Sequence, residues 1–92
     1  MRMRQTRKDW MSRHKIETVN HIWVFGWDPP LRTFFLQRFS PGEDEVADFW
    51  LGGEPNTYMR EVEDLVREAH RCGLHIDYTH QVLLYGDQHD GR

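Results

Sequence analysis

At 92 residues and a net charge of −3, the chain has the size of one small domain, and its core is thin because 29% of the residues are charged. Its single cysteine, Cys72, excludes an internal disulfide, and its longest apolar run, residues 22–25, is far too short to span a bilayer. No apolar stretch typical of a signal peptide precedes His21, so we expect a cytoplasmic protein with no membrane partner.

Charge divides the chain into a basic arm, residues 1–20, and an acidic domain, residues 21–92, with net charges of +4 and −7. The arm lacks apolar periodicity and is expected to be flexible, with a short helix over residues 6–15 docked through Trp10 as the alternative. A basic arm with an aromatic residue can bind nucleic acid, but the acidic domain beside it would repel phosphates, so nucleic acid is the less favoured partner. The candidate nucleic-acid residues are Arg2, Arg4, Arg7, Lys8, Trp10 and Arg13.

Two aromatic-rich runs, residues 21–27 and 32–39, predict antiparallel strands on either side of a proline-stiffened turn. Gly26, inside the first run, indicates a bulge or a place where another backbone comes close. In the second run, the alternation of a strand places residues 33, 35, 37 and 39 on one face and residues 34, 36 and 38 on the other.

Residues 46–52 predict a third strand, and residues 58–72 predict the longest helix. Asn56 or Thr57 can cap the start of that helix, and Gly73 follows its end, where a left-handed residue is favoured. The helix prediction rests on one apolar face, which contains Tyr58, Val62, Leu65, Val66 and Ala69.

The segment of residues 77–88 fits two structures. Alternation of apolar residues favours a strand, whereas Asp77 could cap a short helix with Thr79, Val82, Leu83 and Gly86 along one face. We favour the helix, because a resemblance described below supports it.

The residue types that carry chemistry do not form a recognisable catalytic or metal-binding motif. His70, Cys72 and His75 are of the zinc-ligating types, but their spacing matches no usual zinc site. Cys72 is predicted at the C-terminal end of a helix, where the negative end of the helix dipole raises the pKa of a thiol. We therefore expect a protein that is not an enzyme and has neither a metal site nor a cofactor.

The first turn has a distinctive order, in which Val24-Phe25-Gly26-Trp27-Asp28-Pro29-Pro30-Leu31 is followed by Phe34-Phe35. This order resembles a group of small uncharacterised bacterial proteins with a Gly-aromatic-Asp-x-Pro-Leu hairpin motif. The resemblance covers about residues 22–88 and implies a long helix followed by a short one over residues 77–88. The chain departs from the group's pattern in its long basic arm and in Tyr85-Gly86. The group has no assigned activity.

Together these patterns predict an α+β fold, in which a small three-stranded, mostly antiparallel sheet is followed by two helices on one face, with a flexible basic N-terminal arm. The chain has more large rings than so small a sheet can easily hide, which favours a non-catalytic protein-interaction or regulatory module. An inhibitor carried by a mobile element would fit, and the partner is another protein or a second copy of the chain. The candidate partner-binding residues are Trp23, Trp27, Asp28, Pro29, Pro30 and Trp50.

Overall fold

The computed structural model describes residues 12–42, 47–52 and 58–90. Within them, the strands form one antiparallel sheet whose spatial order is the order of the chain. The α+β class is therefore confirmed. The elements are β1 (His14–Glu17), β2 (Ile22–Asp28), β3 (Thr33–Phe39), β4 (Phe49–Leu51), α1 (Val62–Arg71) and α2 (Tyr78–His89).

Strands β2 and β3 form the predicted hairpin, and their seven-residue ladder pairs Phe25 with Leu36. The turn between them closes with a hydrogen bond of 2.7 Å from the Arg32 N–H to the Asp28 carbonyl. Arg32 has a φ of 54°, in the left-handed region. Aromatic and branched side chains fill both strands, which explains why a central pair forms here.

Strand β1 corrects two sequence predictions. The sheet has a fourth strand within the described residues, and that strand lies inside the segment assigned to the flexible arm, residues 1–20. Its pattern, His-Lys-Ile-Glu, contains one strongly apolar residue, Ile16, which pairs opposite Trp23. Backbone pairing with β2 organises this segment, and the apolar pattern gives little sign of it.

Strand β4 is shorter than the predicted strand of residues 46–52 and comprises three residues. Just before this strand, the Asp48 N–H donates a hydrogen bond of 2.8 Å to the Arg38 carbonyl. It ends at Gly52, whose φ is 101°. A side chain at Gly52 would begin 2.2 Å from the Phe34 carbonyl oxygen, so glycine lets the chain cross close to β3.

Helix α1 lies within the predicted helix of residues 58–72 but begins four residues later. Glu61 and Asp64 form a reciprocal capping box at its start, a role that the sequence prediction gave to Asn56 or Thr57, which lie outside the described residues. Gly73 follows the helix with a φ of 96°, as predicted.

Residues 78–89 form a helix, α2, and not a strand, and Asp77 caps it by accepting a hydrogen bond of 2.9 Å from the His80 N–H. The residues predicted along one face, Thr79, Val82, Leu83 and Gly86, are all exposed. The one buried residue of α2 is Leu84, whereas Val82 and Leu83 are exposed.

The sheet separates two groups of buried side chains. Both helices pack on one face, where side chains of all four strands and both helices form the main core. The other, which we call the second face, carries a smaller cluster of Val24, Phe35 and Phe39, with Ile22 and Ala47 packed beside it. This division matches the alternation predicted for residues 34–37. The buried residues of the main core are Trp23, Phe25, Trp27, Phe34, Leu36, Met59, Val62, Leu65, Ala69, Leu74, Ile76 and Leu84.

Candidate protein-interaction surface

Two of the predicted partner-binding residues, Trp23 and Trp27, lie in the main core. Their side chains are 3% and 4% exposed. Trp27 packs against Phe34 with ring centroids 4.8 Å apart, and the Trp23 indole N–H donates to the Thr18 hydroxyl at 3.2 Å. The prediction that these rings need a partner to cover them is therefore wrong, because two helices and a fourth strand enlarge the core.

The other predicted residues are more accessible but lie apart from one another. Asp28 and Pro29 are half-buried at the turn after β2, and Pro30 is exposed. Trp50 is 55% exposed on β4, two strands away from β2, and its indole N–H donates to the Gly52 carbonyl at 3.2 Å. The turn and the exposed tryptophan therefore do not form the single aromatic surface that was predicted.

The candidate nucleic-acid residues lie almost entirely outside the described residues. Arg2, Arg4, Arg7, Lys8 and Trp10 all do, whereas Arg13 is described and exposed. The nucleic-acid alternative therefore stays a prediction.

Helix α2 carries the most continuous exposed apolar surface of the described residues. Tyr78, Val82 and Tyr85 occupy positions i, i+4 and i+7, so they form one stripe along the helix, and Leu83 lies beside it. Tyr78 is 78% exposed, and the other three are each exposed over nearly half of their surface. We call Tyr78, Val82, Leu83 and Tyr85 the outer stripe.

Contacts on the opposite side of α2 fix the direction of the outer stripe. Leu84 is fully buried in the main core, and the His80 ring meets the Phe25 ring edge-on at 5.7 Å. Near the two ends, the Gln81 amide donates to the Ile76 carbonyl at 2.8 Å and the Gln88 amide donates to the Arg60 carbonyl at 2.7 Å. Because these contacts fix the inner side of α2 against the rest of the domain, the outer stripe faces solvent or another molecule.

Two acidic groups, Glu63 and Asp77, lie at the outer stripe. Residues 74–90 contain three Asp and no Lys or Arg. The Tyr85 hydroxyl donates to the Glu63 carboxylate of α1, and this bond lowers the pKa of Glu63. At the start of the helix, the backbone N–H and the ring of His80 hold the pKa of Asp77 below its ordinary value. These carboxylates are therefore ionised at neutral pH, and the rim of the stripe is negative.

Two histidine–carboxylate pairs meet between β1 and α2, an arrangement that the sequence prediction missed. His14 Nε2 lies 2.8 Å from an Asp87 oxygen, and His80 Nδ1 lies 2.8 Å from an Asp77 oxygen. The two imidazoles pack edge to face with centroids 5.8 Å apart, and Phe25 contacts both. Rings at this separation leave no room for a substrate between them, so the contacts join β1 to α2.

The environment of Cys72 does not activate its thiol. Burial raises the pKa of the Cys72 thiol, and the nearby Glu68 carboxylate adds to this effect. Over residues 12–42, 47–52 and 58–90, no three His, Cys, Asp or Glu side chains are placed to hold a metal ion. The described residues therefore supply neither a reactive thiolate nor a metal centre.

A groove of about 440 Å³ lies between β4 and the outer side of α1. Its charged side chains form ion pairs. A guanidinium nitrogen of Arg67 lies 2.7 Å from an Asp64 carboxylate oxygen, and one of Arg71 lies 3.7 Å from a Glu68 carboxylate oxygen. The Arg67 guanidinium also holds the pKa of Asp64 below its ordinary value. Among the described residues, each charged side chain of the groove has an oppositely charged neighbour, so these side chains give it no net charge.

A comparison of the chain with protein-family models, with curated proteins and with solved structures gave no match. The resemblance to the bacterial hairpin group therefore stays a prediction. Neither described helix combines the length and the apolar character that crossing a membrane requires.

Proposed function

We propose that the protein is a small non-catalytic protein-interaction module that binds its partner through the outer stripe of α2. The proposal rests on the difference in burial between two sides of one helix. Leu84 is fully buried on one side, and Tyr78 is 78% exposed on the other. Single exposed apolar residues are ordinary, but four on one twelve-residue helix form a patch of the kind that partners cover.

The chemistry of the stripe indicates the chemistry of the partner. Tyrosine and leucine offer apolar area, and each tyrosine adds a hydroxyl that can pair at the edge of an interface. The rim is negative, so a complementary surface has an apolar centre edged by Lys or Arg. The same rim disfavours a phosphate backbone at this surface. The partner is therefore a protein with a basic, amphipathic surface.

Photo-crosslinking in the cells that make the protein tests this proposal. A benzophenone amino acid replaces Val82 in the full chain, and the matched control carries it at Arg67, exposed on the outer side of α1. We expect an adduct of one defined mass from position 82 and none from position 67. Tyr78→Ser in the same chain should reduce the adduct at least about tenfold, because interface aromatic residues carry a large share of binding energy.

Three results would contradict the proposal. One is equal adducts from both positions, which would indicate random collisions. Another is an adduct that Tyr78→Ser leaves unchanged, and the third is an adduct that contains only nucleic acid. An adduct of twice the chain's mass would show that the partner is a second copy of the chain and not a basic protein. Because the rim is charged, adduct formation with a basic partner in a lysate of these cells should also decrease as the salt concentration is raised.

A further inference from the structure

One hydrogen bond joins the outer stripe to the neighbouring helix. The Tyr85 hydroxyl of α2 donates to the carboxylate of Glu63, in the first turn of α1, and both side chains are exposed. This bond raises the pKa of the Tyr85 phenol and lowers the pKa of the Glu63 carboxyl. At neutral pH the phenol therefore keeps its proton and the carboxylate keeps its charge. We call these two side chains the tyrosine–carboxylate pair.

Among the described residues, no basic side chain forms an ion pair with Glu63. Arg67, one turn further along α1, has a guanidinium nitrogen 2.7 Å from an Asp64 carboxylate oxygen instead. Arg60, three residues before Glu63, has its guanidinium carbon over the Tyr58 ring, 5.0 Å from the ring centroid. Glu63 accepts hydrogen bonds from the phenol and from its own backbone N–H, and a carboxylate has about four acceptor positions. Positions for a further donor therefore remain.

The sheet contains an example of what an aromatic ring and a carboxylate hold together. The Arg38 guanidinium carbon of β3 lies 5.5 Å from the centroid of the Phe49 ring and 5.9 Å from that of the Trp23 ring. Its Nε donates to an Asp48 carboxylate oxygen at 2.9 Å. The face of a ring attracts the cation, and the carboxylate accepts its N–H groups. The tyrosine–carboxylate pair offers the same two elements at the edge of the outer stripe.

We propose that the tyrosine–carboxylate pair binds an arginine side chain of the partner protein. This inference rests on the proposed function, because the partner that covers the outer stripe brings the arginine. The guanidinium lies on the exposed face of the Tyr85 ring, and its N–H groups donate to Glu63. Arginine fits this pair better than lysine, since a planar guanidinium stacks on a ring and donates two parallel hydrogen bonds, whereas an ammonium is a compact, strongly hydrated charge.

Covering the stripe strengthens the contact with Glu63. An ion pair in open water contributes little, because solvent screens it. A partner that lies on Val82 and Tyr85 excludes water from the edge of the stripe, and a charge-assisted hydrogen bond is stronger in the lower dielectric that results. The bond from Tyr85 also holds the carboxylate in place before the partner arrives, which reduces the entropy lost on binding. The apolar stripe thus supplies contact area, and the pair selects among basic partners.

A second set of variants in the Val82 crosslinking experiment tests the pair. Each full-length variant carries the benzophenone amino acid at position 82 and is irradiated briefly. We expect Glu63→Gln to reduce the yield of the adduct at least about tenfold, because the amide keeps the shape of the side chain and removes its charge. Glu68→Gln is the same change on the same helix, at the groove beside β4, and is the matched control. It should leave the yield unchanged.

Two changes at position 85 separate the ring from its hydroxyl. Tyr85→Phe keeps the ring face for the guanidinium, so we expect it to reduce the yield less than Tyr85→Leu, which keeps apolar area but has no ring. The urea midpoints of the variants at positions 63 and 85 should stay close to that of the native chain, because both side chains are exposed. A loss of adduct with an unchanged midpoint then reports on binding and not on folding.

Peptide mapping of the adduct identifies the partner's residue without changing this chain. The partner segment joined to position 82 should contain an arginine, and replacing that arginine by lysine should reduce the yield. A segment without arginine, or a lysine that replaces it without loss, would overturn the proposal. Equal yields from Glu63→Gln and Glu68→Gln would do the same, and if Tyr78→Ser still removes the adduct, the proposed function stands alone. No adduct from position 82 would overturn both.

Discussion

Helices α1 and α2 have similar lengths, ten and twelve residues, but place their apolar side chains differently. Helix α1 buries Val62, Leu65 and Ala69 on one face and turns charged groups to solvent. Helix α2 buries Leu84 alone and exposes four large apolar side chains. Folding accounts for every apolar residue of α1, whereas most of those in α2 contribute little to the fold. The exposed apolar excess of α2 is the basis of the proposed function.

The largest expected effect tests whether the aromatic residues of the main core belong to the fold. Trp27→Ala should lower the free energy of unfolding by about 3–5 kcal/mol, because the indole is buried against Phe34 beneath the helices. Urea denaturation followed by circular dichroism measures the change. If the variant stays stable and loses only partner binding, Trp27 would belong to the interaction surface and not to the core.

Within α1, position should decide the cost of a truncation. Leu65→Ala is expected to cost about 2–5 kcal/mol because the side chain is fully buried. Val66→Ala removes a half-buried side chain on the edge of the same face and should cost clearly less. Comparing the urea midpoints of the two variants checks this order. Equal midpoints would mean that the helix packs in another orientation.

Acid should weaken the start of both helices. The pKa of Asp64 is held below its ordinary value, about 4, by the Arg67 guanidinium, and that of Asp77 by the His80 N–H. A carboxylate with a lowered pKa in the folded state stabilises the fold above its unfolded-state pKa. That contribution is lost as the pH falls through the folded-state value. The urea midpoint should therefore fall below about pH 4.

Two substitutions assign this acid dependence to the helices. Asp64→Asn and Asp77→Asn should each flatten the pH dependence of the urea midpoint, because the amide that replaces each carboxylate does not titrate. If neither Asp variant changes the profile, the acid sensitivity comes from other carboxylates, such as Asp48 beside Arg38, whose pKa is also lowered.

The smallest expected effect on stability is on the outer stripe. Tyr78→Ser and Val82→Ser should each change the free energy of unfolding by less than about 0.5 kcal/mol, because both side chains are exposed. A cost as large as that of Leu65→Ala would show that the stripe is part of the core. The comparison between the helices would then fail together with the proposed function.

The sequence predicted the elements whose signals are local. Aromatic and branched residues marked β2 and β3, Gly73 marked the end of α1, and Asp77 marked the start of α2. Strand β1 was missed because Ile16 is its one strongly apolar residue, and the strand forms through backbone pairing with the neighbouring β2. The sequence did not identify Leu84 as the buried residue of α2, because apolar residues surround much of that helix and periodicity cannot select the side that packs inward.

The predicted interaction residues and the exposed apolar residues of the structure are largely different. Counting large rings against the volume of a small domain predicted that some of them stay exposed. The count could not say which residues, because it assumed a three-stranded sheet. With β1 and both helices present, Trp23 and Trp27 are enclosed, and the exposed surface lies on Tyr78 and its neighbours. The signal that could have found it was the excess of apolar residues in α2.

The contact between His14 and Asp87 has a consequence for the rate of unfolding. It joins residues 73 positions apart, whereas His14 and its ladder partner Phe25 are near in sequence. Closing the longer loop costs about 1.7 kcal/mol more chain entropy than closing the shorter one, so this contact is expected to form after the transition state. Asp87→Asn should therefore accelerate unfolding and leave the folding rate nearly unchanged, as stopped-flow kinetics would show. On this expectation, the link between the edge strand and the last turn of α2 slows unfolding and prolongs the lifetime of the folded state.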